Sequence, residues 1–286
     1  MIIARSVPEL RAASSGPVSF VPTMGALHAG HASLIRLAAA DGVCAVVSDF
    51  VNPSQFGKGE DFENYPRDFA ADAELAEQAG ATVLFAPSVT EVYPSDFSTT
   101  IDPGPLAHEL CGLHRPGHFA GVATVVVRLF GLVQPHRALF GSKDYQQLTI
   151  LRRVNQDLGL GIEIVGAPTI RDEDGLALSS RNMYLSPAER IRARAIPRAL
   201  QRAAEIYAAG ERDAVKLAEV SHSVLDGLTL EYLELRCSDL TNYEPDRPAV
   251  LLVAGRVGNT RLIDNIVLDP ASPTQAIAQF ATKEFA

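Results

Sequence analysis

Two histidines lie three positions apart in a glycine-rich segment, PTMGALHAGH at residues 22–31. Residues at this spacing share one face of a helical turn, so His28 and His31 are expected to present their imidazoles together. Such a pair can donate hydrogen bonds to phosphate oxygens and, when protonated, offset charge that builds on phosphorus. Gly25 and Gly30 would let the backbone approach an anion. A glycine-rich turn with surface histidines is the alternative interpretation of so short a motif.

The elements on either side of this segment favour the functional interpretation. A strand pattern at Val18–Val21 precedes it, and a helical pattern at Ala32–Ala40 follows it. In parallel α/β sheets, ligands bind at the carboxyl ends of strands, where helix N-termini point their N–H groups outward. The histidine segment occupies that position.

Strands and helices alternate along the first 170 residues, which predicts a Rossmann-like α/β fold, a parallel sheet with helices on both faces. The remaining predicted strands are Val43–Phe50, Ala81–Ala86, Ala138–Phe140 and Ile162–Val165. The remaining predicted helices are Asp68–Gln78, Val122–Val133 and Gln146–Leu158. Val122–Val133 is apolar nearly all round and could also be a pair of strands, but its length of more than ten residues favours a buried helix.

The pattern changes after about residue 170. A helix from Ser186-Pro187 to about Ala209 is followed by further predicted elements: a helix at Asp213–Leu225 and strands at Thr229–Arg236, Ala249–Ala254 and Thr260–Val267. Gly258-Asn259 predicts the turn between the last two strands. We therefore expect one domain at residues 1–170 and a smaller α+β domain at residues 171–286.

Several further polar segments could contribute to a site. Asn52 and Gln55 follow the second predicted strand, and their neutral amides suit a small hydroxy acid or amine. Lys143 and Asp144 follow a short strand, where Lys143 could reach a phosphate and Asp144 a ribose hydroxyl. The hydroxyls and guanidinium of residues 178–182 could close on phosphates. Each segment alone could equally be an ordinary turn or loop.

Composition limits the function classes. The 286 residues carry a formal net charge of −9, which argues against a general binder of nucleic acid or of a membrane surface. The three cysteines show no metal-ligand or disulfide spacing, and Cys44 and Cys237 lie in apolar runs that predict buried reduced thiols. The amino terminus lacks a signal-peptide pattern, so we expect a cytoplasmic protein.

Seven segments in order along nearly the whole chain resemble the pantothenate synthetase (pantoate–β-alanine ligase) family, within the HxGH nucleotidyltransferase superfamily. The matching segments are PTMGALHAGHASL (22–34), FVNPSQF (50–56), EDFENYPRD (60–68), RPGHFAGVATVV (115–126), LFGSKDYQQL (139–148), PTIRDEDGLALSSRNMYLS (168–186) and TRLIDN (260–265). Two positions depart from the family pattern: Asp49 stands where an aliphatic residue is expected, and Ser54 where a larger apolar residue is usual.

The resemblance implies that ATP, (R)-pantoate and β-alanine are converted to pantothenate, AMP and diphosphate through pantoyl adenylate. It also implies Mg²⁺ bound with ATP, through ligands that the sequence does not identify, and a homodimer. The first domain would bind nucleotide and pantoate, and the second would carry a mobile phosphate loop.

The resemblance assigns site residues by position. The implied catalytic residues are His28, His31 and Lys143. Gln55 and Gln147 match pantoate-binding glutamines, and Gln55 also borders the β-alanine site. Arg115 and His118 match a segment near the pantoate and phosphate region. The implied ATP-binding residues are Met24, Gly25, Ala26, Leu27, His28, Ala29, Gly30, His31, Gly141, Ser142, Lys143, Asp144, Ile170, Leu178, Ser179, Ser180 and Arg181.

Two other functions compete with this one. A related HxGH enzyme would transfer AMP to a phosphorylated acceptor, but such an acceptor would require Arg or Lys where this chain has two glutamines. A non-catalytic nucleotide-binding module would bind ATP without forming AMP, and it would not need both histidines, Lys143 and the Ser-Ser-Arg segment together.

Overall fold

The computed structural model describes residues 1–40, 42–57, 59–60 and 62–280. Asp61 of the 60–68 segment and residues 281–286 of the predicted second domain lie outside the described residues. The chain divides into two compact units. One consists of Met1–Ser142 with Gln146–Ala167, and the other of Lys143–Tyr145 with Pro168–Ala286.

The first unit is built on a parallel sheet of six strands, in the order β1-β4-β3-β2-β5-β6. The strands are β1 (Ile2–Ala4), β2 (Val18–Thr23), β3 (Cys44–Asp49), β4 (Val83–Phe85), β5 (Arg137–Gly141) and β6 (Glu163–Ala167). Their pairings are all parallel. The parallel sheet predicted from the alternation of elements is confirmed, and β1 is an additional edge strand that the sequence pattern did not predict.

Helices cover both faces of this sheet, as predicted. They are α1 (Val7–Ala13), α2 (Ala29–Ala39), α3 (Phe69–Gln78), α4 (Val89–Val92), α5 (Cys111–His114), α6 (His118–Val133) and α7 (Tyr145–Asp157). Successive side chains of a strand point to opposite faces. On β2, Phe20 accordingly packs with residues of α1, α6 and α7, whereas Val21 packs with residues of α2 and α3.

The strand order places a topological switch point between β2 and β5. The chain runs from β2 through β3 to β4 on one side and then returns to β5 on the other side of β2. Loops that leave two such strands diverge to opposite faces of the sheet and form a crevice that binds ligands. The residues after β2 are the histidine segment, and β5 ends at Gly141.

The second unit contains an antiparallel sheet of three strands, β7 (Thr229–Cys237), β8 (Ala249–Val257) and β9 (Thr260–Leu268). Its helices are α8 (Pro187–Ala193), α9 (Ala195–Ala208), α10 (Ala214–His222) and α11 (Gln275–Ala278). Leu200 and Tyr207 of α9 form its core together with Leu251 and Ile266 of the sheet. The α+β class predicted for this part of the chain is confirmed.

One predicted helix was wrong in extent. The sequence pattern predicted a continuous helix from Ser186-Pro187 to Ala209, but the helix is interrupted at Arg194 between α8 and α9. Pro197 explains the interruption, because it has no N–H to donate to the carbonyl of Ala193 and its ring clashes with that carbonyl.

All three cysteines, Cys44, Cys111 and Cys237, are buried and form no disulfide. This confirms the prediction made for Cys44 and Cys237. Among the described residues, no helix has both the length and the apolar character that crossing a bilayer requires.

Candidate active site

The two histidines of the HxGH segment cap the helix that follows them. His28 is the N-cap of α2, and its Nδ1 accepts a hydrogen bond from the Gly30 N–H over 3.1 Å. The Nδ1 of His31 accepts from the His28 N–H over 3.3 Å, which completes a reciprocal capping box. The ring centroids are 4.1 Å apart. The local sequence therefore folds into a turn that holds both imidazoles side by side.

These hydrogen bonds determine where each ring carries its proton. A nitrogen that accepts from a backbone N–H cannot itself be protonated, so the neutral forms of His28 and His31 carry the proton on Nε2. Both histidines are thereby held as Nε2 donors in fixed orientations. Fixed donors are what stabilisation of a developing oxyanion requires.

The sequence suggested that the backbone of this segment approaches a bound anion, but several of its N–H groups already donate hydrogen bonds to protein atoms. The Gly25 N–H donates to Thr23 Oγ1, and the N–H groups of Ala26 and Leu27 donate to the two carboxylate oxygens of Asp72 over 2.8 and 2.6 Å. With those of His28 and Gly30, five N–H groups are directed at protein acceptors. The candidate donors toward a phosphate are therefore side chains rather than these amides.

Position 25 requires glycine because of both its backbone conformation and the atoms around it. Its φ is +76°, and a Cβ placed on it would lie 2.5 Å from Asp49 Oδ1 and 2.9 Å from Asp72 Oδ2. The two carboxylates thus pack against the same glycine. Burial first, and then the charge of Asp72, raise the pKa of Asp49 to about 6. Burial also raises the pKa of Asp72, although its bonds from Leu27 and Ala26 lower it in part.

Gln55 is brought to the same part of the first unit as the HxGH segment. It lies on a 3₁₀ helix (Pro53–Gln55) after β3, and its Nε2 donates to Met24 Sδ over 3.0 Å. Asn52, which is 1% exposed, donates to Gln55 Oε1 over 3.1 Å. Ser54 and Tyr93 both donate to Asn52 Oδ1, so the unusual serine joins a polar network instead of an apolar one. Asn52 therefore holds the Gln55 side chain in place, and Met24 accepts a hydrogen bond from that side chain.

A close backbone contact places this 3₁₀ helix. A Cβ on Gly121 of α6 would lie 2.3 Å from the Ser54 carbonyl oxygen and 2.7 Å from Gln55 Cα. The Gly121 carbonyl also accepts from Asn52 Nδ2. Only glycine allows α6 to pack this closely.

Arg115 and His118 form a charged network around Gln55. Arg115 donates to both carboxylate oxygens of Glu60 over 2.7 and 2.6 Å, and its Nη1 lies 2.9 Å from His118 Nε2. His118 Nδ1 lies 2.8 Å from the Gln55 carbonyl oxygen. Burial would raise the pKa of Glu60, but the hydrogen bonds and charge of Arg115 outweigh it and lower that pKa to about 2. Glu60 is therefore ionised at neutral pH.

The two adjacent glutamines of α7 occupy different environments. Gln146 is 4% exposed, and its Oε1 accepts from the Cys111 N–H while its Nε2 donates to the carbonyls of Leu106 and Glu109. Gln147 is half-buried. The side chain of Gln146 is therefore used to hold the chain around residues 106–111. Gln147 is the remaining candidate for ligand binding.

The second unit contains the segment that begins at Lys143. The Nζ of Lys143 lies 3.6 Å from Asp144 Oδ2, and its side chain is 18% exposed. The Lys143 carbonyl accepts from Asn265 Nδ2 over 2.9 Å. Asp264, next to Asn265, pairs with Arg171. The TRLIDN segment therefore supports Lys143 and the chain around residue 171.

Ile170 and Leu178, both predicted ATP contacts, are joined directly. The Leu178 N–H donates to the Ile170 carbonyl over 2.9 Å, next to an antiparallel bridge between Arg171 and Ala177. Ser179 follows as the N-cap of a 3₁₀ helix (Ser180–Tyr184), and its Oγ accepts from the Arg181 N–H. Two segments that are separate in sequence thus form one hairpin.

Three residues that hold these candidates were not predicted from the sequence. Asp72 fixes the HxGH segment, Glu60 pairs with Arg115, and Asn265 bonds Lys143. Asp72 is an acid inside an amphipathic helical pattern and is only 3% exposed. An acid at a core position was the available signal for it, because such a residue needs a partner.

Comparison with known proteins identifies the family. The family model for pantoate-beta-alanine ligase matches residues 3–267. The chain is 51% identical over 274 residues to pantothenate synthetase 1 of Bradyrhizobium diazoefficiens, covering 93% of this chain and 95% of that protein. It is 49% identical over 258 residues to pantothenate synthetase of Thermotoga neapolitana, covering 88% and 91% of the two chains.

Solved structures agree with this assignment. A pantothenate synthetase structure from Thermus thermophilus is 47% identical and superposes with a TM-score of 0.90, covering 93% of this chain and 99% of that chain. The pantoate-beta-alanine ligase of Francisella tularensis, complexed with beta-gamma ATP and beta-alanine, is 32% identical with a TM-score of 0.77 and covers 93% and 97%. The sequence match, the shared fold and the fixed histidine pair together lead to one conclusion: this chain belongs to the pantoate–β-alanine ligase family.

Proposed function

We propose that this enzyme condenses (R)-pantoate with β-alanine in two steps: ATP first activates pantoate as a pantoyl adenylate, and β-alanine then displaces AMP. The ligase activity follows from family membership over residues 3–267. The observation that carries the mechanism is the capping of α2, because it fixes His28 and His31 as paired Nε2 donors. The Francisella relative, complexed with beta-gamma ATP and beta-alanine, supports two of the substrates.

In the first step, a carboxylate oxygen of pantoate attacks the α-phosphorus of ATP and diphosphate leaves. Negative charge grows on the phosphate oxygens in this step, so donors that are already oriented lower the barrier. We assign this role to His28, His31 and the ammonium group of Lys143. Positioning of the two reactants supplies much of the remaining acceleration.

In the second step, the free amine of β-alanine attacks the carbonyl carbon of the mixed anhydride. The bond from that carbon to the phosphate oxygen breaks, AMP leaves, and the amine loses a proton as the amide forms. This chemistry needs no nucleophilic side chain, which agrees with the burial of all three cysteines.

We assign the binding of pantoate to Gln55 and Gln147, with Gln55 also bordering β-alanine. The contact of Gln55 with Met24 supports this assignment, because it links an acceptor-site candidate to the HxGH segment. Arg115 and His118 are assigned to the surroundings of the acceptor, since they form a network with the Gln55 backbone.

We assign ATP binding to the segments that the family resemblance implies. The first unit offers Met24–His31 with Gly141 and Ser142, and the second offers Lys143, Asp144, Ile170 and Leu178–Arg181. The hairpin bond between Ile170 and Leu178 supports a shared role for those two residues. We further propose that the Ser-Ser-Arg segment closes on the phosphates.

Mg²⁺ is proposed to arrive with ATP. Among the described residues, no group of three or more His, Cys, Asp or Glu side chains could hold a metal ion. This fits a cation that is bound mainly through nucleotide phosphates and waters, as Mg²⁺ commonly is. We also propose a homodimer in the cytoplasm, and light scattering of the purified protein tests the oligomeric state.

Exchange of radiolabelled diphosphate into ATP tests the function. We expect exchange that requires pantoate and Mg²⁺ but not β-alanine, and addition of β-alanine should yield equal amounts of pantothenate and AMP by mass spectrometry. Exchange supported only by a phosphorylated acceptor would instead indicate transfer of AMP to that acceptor. ATP binding without exchange or AMP would indicate a non-catalytic module.

A further inference from the structure

Asp72 joins α3 to the HxGH segment across the sequence. Its Oδ2 accepts from the Ala26 N–H over 2.8 Å and its Oδ1 from the Leu27 N–H over 2.6 Å. One carboxylate therefore bonds two consecutive amides of the turn that precedes His28. Hydrogen bonds to an ionised acceptor are stronger and shorter than neutral ones.

The turn needs this support because its backbone is strained. Ala26 has a φ of +50°, which a residue with a Cβ seldom adopts, and Gly25 before it has a φ of +76°. Such conformations persist where surrounding bonds impose them. The bonds from Gly25 to Thr23 and from Ala26 and Leu27 to Asp72 do so here.

Asp49 introduces a second carboxylate at the same place. It ends β3, opposite Thr23 in the strand register. Its Oδ1 and the Oδ2 of Asp72 both lie close to the position that a Cβ on residue 25 would occupy. Two like charges at such short range repel each other and disfavour the doubly ionised state. When Asp49 is ionised, it therefore opposes the carboxylate that holds the turn, whereas a neutral Asp49 does not.

We infer that Asp72 is a positioning residue for the HxGH segment, and that the ionisation of Asp49 weakens this positioning and with it the binding of ATP. This rests on the proposed function, in which the HxGH segment binds ATP. The resemblance implies an aliphatic residue at position 49, so this pH sensitivity would not be expected from the family pattern alone.

Other titratable groups lie near Asp49 and Asp72, but the ionisation of Asp49 sets the pH range in which ATP binding should change. Asp68, the N-cap of α3, adds a further negative charge that acts on Asp72, and His28 and His31 are the titratable groups of the turn itself. The pKa of Asp49 is raised to about 6, so Asp49 ionises between about pH 5 and pH 7. ATP affinity should therefore fall as the pH rises through this range.

The first test measures ATP binding by calorimetry from pH 5 to pH 8.5 for the wild type, D49N and D72N. D49N imitates the protonated acid, so we expect its ATP affinity to be three- to tenfold higher than that of the wild type at pH 8 and equal to it at pH 5. D72N loses one acceptor for the turn and should bind ATP at least tenfold more weakly at every pH. In D68N, asparagine still caps α3, so ATP affinity should change less than twofold.

The second test gives its main result in the wild type and uses D49N as the comparison. The amide resonances of Ala26 and Leu27 in the wild type should shift with a midpoint near pH 6 and should lose that transition in D49N. The inference is overturned if these resonances show no such transition, if D49N matches the wild type at pH 8, or if folded D72N binds ATP normally. Loss of diphosphate exchange with intact ATP binding would instead refute the proposed reaction alone.

Discussion

The side-chain amide of Asn265 donates a hydrogen bond to the backbone carbonyl of Lys143 over 2.9 Å. Replacing Asn265 with leucine should therefore misplace the Lys143 ammonium group and lower diphosphate exchange about ten- to a hundredfold. The same replacement in a K143A background should lower the exchange rate hardly any further, because Asn265 acts through Lys143. Additive losses in the double variant would contradict this role. Exposed Asn242 supplies the control, N242A.

The two nitrogens of His31 can be tested separately. Asparagine can imitate Nδ1 and preserve the bond from the His28 N–H, whereas glutamine can imitate the Nε2 donor. If Nε2 acts on phosphate, H31N should lose about 2.7–4 kcal/mol of transition-state stabilisation, roughly a hundred- to a thousandfold in kcat, and H31Q should retain part of the rate. Single-turnover formation of adenylate measures the step, and equal rates for H31N and the wild type would exclude this donor.

Gly121 should tolerate no side chain. A Cβ at this position would lie 2.3 Å from the Ser54 carbonyl oxygen, so G121A must push the 3₁₀ helix away from α6. We expect a loss of about 1–3 kcal/mol in the free energy of unfolding and a raised KM for pantoate through displaced Gln55. G131A in the same helix is the matched control, because a Cβ there meets no atom within 4 Å. Similar effects of both variants would refute the packing argument.

Asp49 should make the protein less stable as the pH rises from about 4 to 6. Its pKa is raised from 3.8 to about 6, so in this window the folded state binds more protons than the unfolded state. D49N should therefore match the wild type near pH 4 and exceed it by about 1–2 kcal/mol above pH 6.5, allowing for partial exposure. Urea unfolding of the wild type and D49N at several pH values measures this, and a difference that does not change with pH would contradict it.

Substitutions of the two adjacent glutamines of α7 should have different effects, one on stability and the other on pantoate binding. Q146A removes the acceptor that the buried Cys111 N–H uses and one donor each from the Leu106 and Glu109 carbonyls, which should cost about 1–3 kcal/mol of unfolding free energy. Q147A should leave thermal stability unchanged and raise the KM for pantoate. Melting curves and initial rates for the two variants check both statements, and the assignment fails if their effects are exchanged.

Much of the fold could be predicted because its signals are local. The HxGH segment and its flanking elements could be located since the glycines, the strand and the helix are all within a short stretch of chain. The break at Arg194 also had a local signal in Pro197, although the pattern around it indicated one continuous helix. Strand order was not predictable, because each pairing joins segments that are distant along the chain.

The residues that hold the candidate site were less accessible to sequence reasoning. Asp72 lies 45 residues from Leu27, Glu60 lies 55 from Arg115, and Asn265 lies 122 from Lys143. No periodicity connects such positions. Their partners become apparent only when the folded chain brings a buried or half-buried polar group against them.

Two glycines of the candidate ATP segments would behave differently in a saturation library. Gly25 is closed to every side chain by its φ and by two carboxylates, whereas a Cβ on Gly141 meets no protein atom within 4 Å. Selection for stability alone should therefore return glycine at position 25 and many residues at position 141. If selection for growth without supplied pantothenate nevertheless returns glycine at position 141, the constraint at that position comes from ligand binding rather than from packing within the protein.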